Sequence, residues 1–305
     1  MNLNRRDFLM GAATALTVAA SAPLTSASAM AIGPINRARP SRLRLSIAAY
    51  SYRDYLTGKK KPAMDMFRFA ELAADLGVDA IEPTSYYFPT DVDDAYLAKF
   101  KRHAFVLGLD ISGTAIGNNF CLPAGPKRDE QLQLARTWID RSAAMGAPVI
   151  RVFAGNAPKG DGDDLAFERT VAGMKESLEY AAKKGVVLAL ENHGGITASA
   201  DGLLKLVQAI DSPYFGVNLD TGNFHSEDPY ADIARLAPYA LNVQVKTELR
   251  RKGSANPKEE ADFSKIIGIL RDAKYSGYVA LEYEAAEDPL TAIPGHIKAL
   301  KALLA

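Results

Sequence analysis

The hydrophobic pattern of the chain switches repeatedly between two periods. Leu43–Tyr50 (LRLSIAAY) is a short apolar run of strand type. Pro62–Leu76 then takes helical spacing through Met66, Phe69, Ala70, Ala73 and Leu76, and Gly77 stops it. The same pairing recurs down the chain. Val78–Glu82 (VDAIE) predicts a strand and Asp91–Leu107 a helix closed by Gly108; Leu109–Ile116 predicts the next strand and Lys127–Met145 a helix closed by Gly146. Pro148–Phe153 is followed by a helix over Leu165–Lys184 closed by Gly185, and Val186–Leu190 by a helix over Ser199–Ile210. A strand opening at Phe215 precedes a helix over Tyr230–Leu236, Leu241–Lys246 precedes one over Phe263–Ala273, and Tyr278–Glu282 precedes one over Pro289–Leu304. Between Thr247 and Glu260 the chain is first basic and then acidic, as expected of an exposed loop.

The strands read as apolar runs rather than alternators, as when both faces of a sheet are covered. Eight strand–helix units in residues 43–305 predict a single (β/α)8 TIM barrel of the α/β class. An open doubly wound sheet is the competing architecture, but no G-x-G-x-x-G follows the first strand.

The organising stretch is Phe215–His225 (FGVNLDTGNFH). There an apolar run stops on Asp220 and turns through Gly222, which delivers a carboxylate to the end of a sheet. In a barrel, the site is built at those C-terminal strand ends. Taking the ends in turn gives Tyr50 with Tyr52, Glu82, Thr114, Arg151, Glu191 with His193, Asp220 with Asn223, Gln244 with Lys246, and Glu282 with Glu284. Helix capping does not account for Glu191 or Glu282, which close the apolar runs LALE and VALE. Converging carboxylate and carboxamide oxygens repel unless a cation lies among them. Glu191, Asp220, Gln244 and Glu282 come from successive strands and could share one ion, and all-oxygen ligation favours Mn²⁺ or Mg²⁺ over zinc. The alternative is a metal-free ring of ion pairs with Arg151 and Lys246.

The segments LALENH, GVNLDTGN, NVQVK and VALEYE together resemble those of the xylose isomerase-like TIM-barrel superfamily of sugar (phosphate) isomerases and epimerases, over essentially the whole chain after the leader. The resemblance implies a metal-dependent enzyme acting on a sugar or polyol by proton transfer next to a carbonyl. It places the metal ligands at Glu191, Asp220, Gln244 and Glu282, and makes Glu191 and Glu282 the proton-moving pair. Gln244 departs from the family's usual histidine; its amide oxygen is neutral and harder than imidazole. Such chemistry needs a base at carbon and an electrophile at oxygen. Lys246 and Arg151 are candidates to stabilise an enediolate, and His193 and His225 to reach substrate hydroxyls. Glu82 resembles a strand-two glutamate found near substrate in the superfamily. Tyr50, Tyr52 and Tyr86–Phe88 are candidates for an aromatic wall against a sugar face. His103 and His296 fall on helices and are read as surface residues.

A lyase that β-eliminates a keto-glycoside would share the same first step, and a non-catalytic sugar-binding protein would share the pocket. A nuclease on the same barrel needs several zinc ions and more than the four histidines present, and a net charge of +0 fits poorly with duplex binding. The expected partner is therefore a small sugar-like molecule and not nucleic acid.

Residues 1–29 read as a twin-arginine export signal. Arg5-Arg6 leads an Ala/Thr-rich run too short for a stable membrane anchor, and Ala27-Ser28-Ala29 supplies a cleavage site near Ala29. This reading predicts passage through the twin-arginine machinery and a periplasmic mature protein. Residues 30–42 form a loose lead-in. Cys121 is the only cysteine and is read as a small buried residue, so no internal disulfide can form. Barrels of this type often pair through their loops, which makes a homodimer the expected assembly.

Overall fold

The computed structural model describes residues 33–253 and 258–305. The leader expected at residues 1–29 lies outside the described residues. Nine parallel strands form one nearly closed barrel: β1 (Leu43–Ala48), β2 (Ala80–Glu82), β3 (Asp110–Ile111), β4 (Thr114–Ala115), β5 (Val149–Val152), β6 (Val187–Glu191), β7 (Phe215–Asp220), β8 (Ala240–Val245) and β9 (Gly277–Leu281). Around the sheet the order is β3-β2-β1-β9-β8-β7-β6-β5-β4. The single strand expected over Leu109–Ile116 is thus split in two, β3 pairing with β2 and β4 with β5. Gly113 sits at this break, where an added Cβ would lie 2.8 Å from Val149 Cγ1. A bridge between Thr84 and Ala115 ties the two ends of the sheet together.

The helices form where the 3.6-residue periodicity predicts them, with ends shifted by a few residues. Their starts are fixed chemically. Asp65, Asp93, Ser199 and Asp262 each accept a hydrogen bond from the backbone N–H three residues on, which satisfies a donor the helix cannot. Gly146 and Gly185 close the two longest helices at φ 82° and 68°, a left-handed conformation that costs glycine nothing. No helix among the described residues is long and apolar enough to cross a membrane.

The structure corrects several expectations. β1 ends at Ala48, and the chain tightens into a 3-10 turn over Ala49–Tyr52. At about three residues per turn, Tyr50 and Tyr52 cannot face the same way. Tyr52 is buried, with its ring 6.1 Å from that of Phe69, so it belongs to the core rather than to a substrate wall. Phe88 is likewise packed against Phe100 and Trp138. The segment after β8 is not simply an exposed loop. Glu248–Arg251 pairs antiparallel with Lys258–Glu260 and parallel with His225–Ser226, and Leu249 is fully buried beneath it. His103 and His296 are half-buried against Phe67 and Tyr283 rather than free on the surface.

Candidate active site

The strand ends deliver the site. Six charged residues are buried among the described residues: Glu82, Arg151, Glu191, Asp220, Lys246 and Glu282. All six lie at or just beyond the C-terminal ends of β2, β5, β6, β7, β8 and β9. Buried charge is expensive, so its collection at one mouth marks this as the chemical centre of the fold.

β7 and β8 carry polar side chains at every second position, Asn218/Asp220 and Asn242/Gln244, and register pairs Asn218 with Asn242 and Asp220 with Gln244. The period of two turns these residues to one face, while Val217, Leu219, Val243 and Val245 enter the apolar core. They build a closed ring of hydrogen bonds with Glu82. Asn242 Nδ2 donates to Glu82 Oε2 and to Asn218 Oδ1, both at 2.7 Å. Asn218 Nδ2 donates to Gln244 Oε1 at 2.7 Å, and Gln244 Nε2 donates to Glu82 Oε1 at 2.5 Å. Burial pushes the Glu82 carboxyl up to about 7, against the two amide donors that favour its charged form. The ring also fixes which end of the Gln244 amide faces Glu82.

Above the ring, Arg151 Nε stands 3.0 Å from Glu191 Oε2, and Asn223 Nδ2 donates to Glu191 Oε1 at 2.9 Å. Burial raises the Glu191 carboxyl well above the carboxylate range; Arg151 opposes the rise and the Asp220 and Glu282 charges add to it. Arg151 also donates to the Ile116 carbonyl at 3.0 Å, lies over the Phe153 ring, and stands 3.4 Å from the Tyr86 hydroxyl. His193 is exposed at the rim, with its ring 4.4 Å from Phe153; desolvation on that side and the Arg151 charge hold its imidazole below its usual pKa.

Lys246 sits among three carboxylates. Its Nζ lies 3.0 Å from Glu282 Oε1, 3.1 Å from Glu284 Oε2 and 3.3 Å from Asp220 Oδ2. Burial pulls the ammonium down, but the three acids outweigh it and hold it well above the ordinary lysine value. Asp220 is placed by Gly222 N–H, which donates to Oδ1, and by Asn192, whose side-chain amide exchanges two hydrogen bonds with the Asp220 backbone. Burial pushes the Asp220 carboxyl up to about 6. Gly222 permits the Lys246 stem to pass: a Cβ there would fall 2.4 Å from Lys246 Cγ.

The sequence-predicted residues Glu82, Arg151, Glu191, Asp220, Gln244, Lys246 and Glu282 are therefore brought together. Tyr50 and Tyr86 stand at the rim near Lys246 and Arg151. His225 is set further out, on the wall of a neighbouring cavity. Asn218 and Asn242 were not singled out from the sequence, although their two-residue spacing from Asp220 and Gln244 was a signal for them.

No three carboxylate, imidazole or thiol side chains among the described residues form a ready-made metal centre; the Lys246 ammonium stands between them. The donor chemistry nevertheless suits a hard divalent cation. Asp220 Oδ2 is buried and makes no well-aligned hydrogen bond, the Lys246 ammonium standing 3.3 Å away, and four buried carboxyl groups face two buried cations. A divalent ion would favour the charged form of these carboxyl groups, which burial otherwise pushes toward the protonated form.

Comparison with known proteins adds the family. The xylose isomerase-like TIM-barrel family profile matches residues 70–303. The chain belongs to this family. Among solved structures, the L-ribulose 3-epimerase fold superposes with a TM-score of 0.67 at 19% identity, over 86% of this chain and 94% of the other. D-psicose 3-epimerase from Clostridium cellulolyticum H10 gives 0.65 at 18% identity, over 84% and 89%. The 3-keto-D-glucoside 4-epimerase of E. coli gives 0.63 at 15%, over 86% and 99%. At these identities the likeness is one of fold. No curated protein matched by sequence.

Proposed function

We propose that this family member is a sugar isomerase or epimerase that moves a proton on the carbon next to a carbonyl, with Glu191 and Glu282 as the base and acid. One observation carries the reading: every buried charged side chain described lies at the barrel mouth, with carboxylates in excess. A scaffold without chemistry there would gain nothing from holding four acids out of water. The fold likeness to three sugar epimerases supports the same class.

Glu191 suits the role of base. Burial raises its pKa, which makes its carboxylate a stronger base than an exposed one, and Asn223 and Arg151 hold its two oxygens in place. Glu282 stands at the end of β9, against the Lys246 ammonium, and is the partner that returns a proton. Lys246 and Arg151 supply fixed positive charge toward an oxygen that becomes negative as the proton leaves. A single Mn²⁺ or Mg²⁺ held by Glu191, Asp220 and Glu282, joined by Gln244 only if its amide oxygen gives up the Asn218 hydrogen bond, would supply Lewis-acid polarisation of the substrate oxygens. Tyr50 and Tyr86 offer ring faces at the rim.

The E. coli structure named for a 3-keto-glucoside keeps one neighbouring reaction in view, β-elimination from a keto-glycoside after the same proton abstraction. The leader reading makes the mature protein periplasmic, which favours unphosphorylated sugars as substrates. The test is product analysis. A panel of ketoses, aldoses and keto-glycosides is incubated with Mn²⁺-supplied protein, and the products are followed by NMR. New epimers or aldose–ketose pairs establish the reading, and an unsaturated keto-sugar with released alcohol moves it to the lyase. An inert panel with tight sugar binding makes the protein a binder.

A further inference from the structure

The two buried cations at the barrel mouth are held in different ways. Arg151 is anchored independently of its acid: besides pairing with Glu191 it donates to the Ile116 carbonyl at 3.0 Å, and its guanidinium lies 4.0 Å from the centre of the Phe153 ring. Lys246 has no such anchor. Among the described residues its ion-pair partners are all acids, Glu282 at 3.0 Å, Glu284 at 3.1 Å and Asp220 at 3.3 Å, and the centre of the Tyr50 ring is 5.9 Å away.

Two of these acids, Asp220 and Glu282, are buried and belong to the set proposed to hold a divalent ion. A second cation that draws on them takes the ammonium's two buried partners and repels it at short range. The third acid gives the ammonium somewhere to go. The Glu284 side chain is 41% exposed, and Lys246 and Glu284 both line a cavity of about 290 Å³ beside the charged residues. The base of the lysine stem is fixed: its backbone N–H donates to the Thr221 hydroxyl at 3.0 Å, and the stem passes so close to Gly222 that a Cβ there would lie 2.4 Å from Lys246 Cγ. Beyond Cγ the chain carries a compact point charge on freely rotating bonds, which can change partners in a way the rigid arginine fork cannot.

We propose that Lys246 is a stand-in cation: it neutralises Asp220 and Glu282 until a divalent ion is bound, and then withdraws onto Glu284 at the wall of the cavity. The proposal rests on the divalent ion of the proposed function and deepens it, because loading of the site becomes a competition between the chain's own cation and one from solution. Lys246 thereby stabilises the site without the ion and lowers the affinity for it. Loading also leaves an ammonium at the cavity wall, where a substrate oxygen can meet it.

The experiment has two readouts. Mn²⁺ and Mg²⁺ are titrated by calorimetry into the chelator-stripped wild type, Lys246→Met and Asp220→Asn. Acetylation of Lys246 by an N-hydroxysuccinimide ester is then followed by peptide mass spectrometry in the wild type, with and without saturating Mg²⁺, against the exposed Lys99 as reference. The second readout needs no variant, so it stands even if Lys246→Met folds poorly. The expected result is Mn²⁺ binding at least about tenfold tighter in Lys246→Met than in the wild type, the loss of one competing charge at this range being worth that much. Mg²⁺ should also raise Lys246 acetylation severalfold, since static repulsion alone would change the affinity and leave the ammonium protected. Wild-type binding that Asp220→Asn loses, with Lys246→Met no tighter or with acetylation unchanged by Mg²⁺, overturns the displacement and keeps the ion. No binding by either the wild type or Lys246→Met overturns the ion and the displacement together.

Discussion

Replacing Lys246 by methionine removes one charge while keeping most of the stem, and the carboxylates around the ammonium set the cost. The ammonium lies within 3.0–3.3 Å of three carboxylates, and Asp220 and Glu282 are almost fully buried. Removing one partner of such a buried set costs about 3–5 kcal/mol, because the remaining charges stay out of water without compensation. Glu284 is partly exposed and adds little. For a chain of this size, each kcal/mol shifts the midpoint by roughly 2–4 °C, so Lys246→Met should lower Tm by roughly 10 °C in EDTA. The pH dependence has a definite sign. Asp220 titrates at about 6 in the fold, above its ordinary 3.8, so the penalty for its charge is absent below 3.8, grows above that and is complete above 6. Without Lys246 that penalty is larger, so the deficit of the variant should be greatest near pH 8 and shrink toward pH 5. Lys246 itself, raised above 10.5, keeps its stabilising charge throughout this window. Urea unfolding followed through the buried Trp138, the only tryptophan, measures the difference. A deficit below about 1 kcal/mol at pH 8, the value of a surface pair, would refute the reasoning. So would a deficit that grows toward acid.

Other outcomes rest on the same geometry. Gly222→Ala drives a methyl into the Lys246 stem and should cost about 1–3 kcal/mol with a marked fall in kcat/KM, checked by unfolding and turnover on one preparation. Glu82 titrates at about 7 against an ordinary 4.5, so it costs the wild type stability as pH rises from 4.5 through 7; Glu82→Gln should remove that part of the slope, and an unchanged stability–pH curve contradicts it. Tyr52→Phe should leave kcat/KM unchanged, whereas Tyr86→Phe, which loses the hydroxyl 3.4 Å from Arg151, should lower it; the reverse order would put Tyr52 back in the site.

Much of this was legible in the sequence because barrel architecture ties function to register. An apolar run ending in a carboxylate has little choice but to present it at the mouth, and Glu82, Glu191, Asp220 and Glu282 all obey. The pairing of those acids was less legible. Lys246 lies one residue beyond β8, and nothing local says that its ammonium sits among three carboxylates from β7 and beyond β9. The Asn218–Asn242–Gln244 ring was hidden for the same reason, since asparagine within an apolar run has meaning only once register sets it opposite another amide. Tyr52 was misplaced because a 3-10 turn replaced the last strand residues and rotated it inward. The small sheet over the mouth was missed because its strands are short, charged and far apart in sequence, so hydrophobic period carried no signal.

The central claim is that this site moves a proton on carbon, and solvent exchange tests it most directly. A keto-sugar or keto-glycoside is held in D₂O with the Mn²⁺-supplied wild type, Glu191→Gln and Glu282→Gln, and the proton next to the carbonyl is followed by NMR. The account predicts deuterium incorporation with the wild type and its loss in at least one of the two variants. A folded wild type that binds sugar yet exchanges no carbon-bound proton, with or without metal, would contradict it.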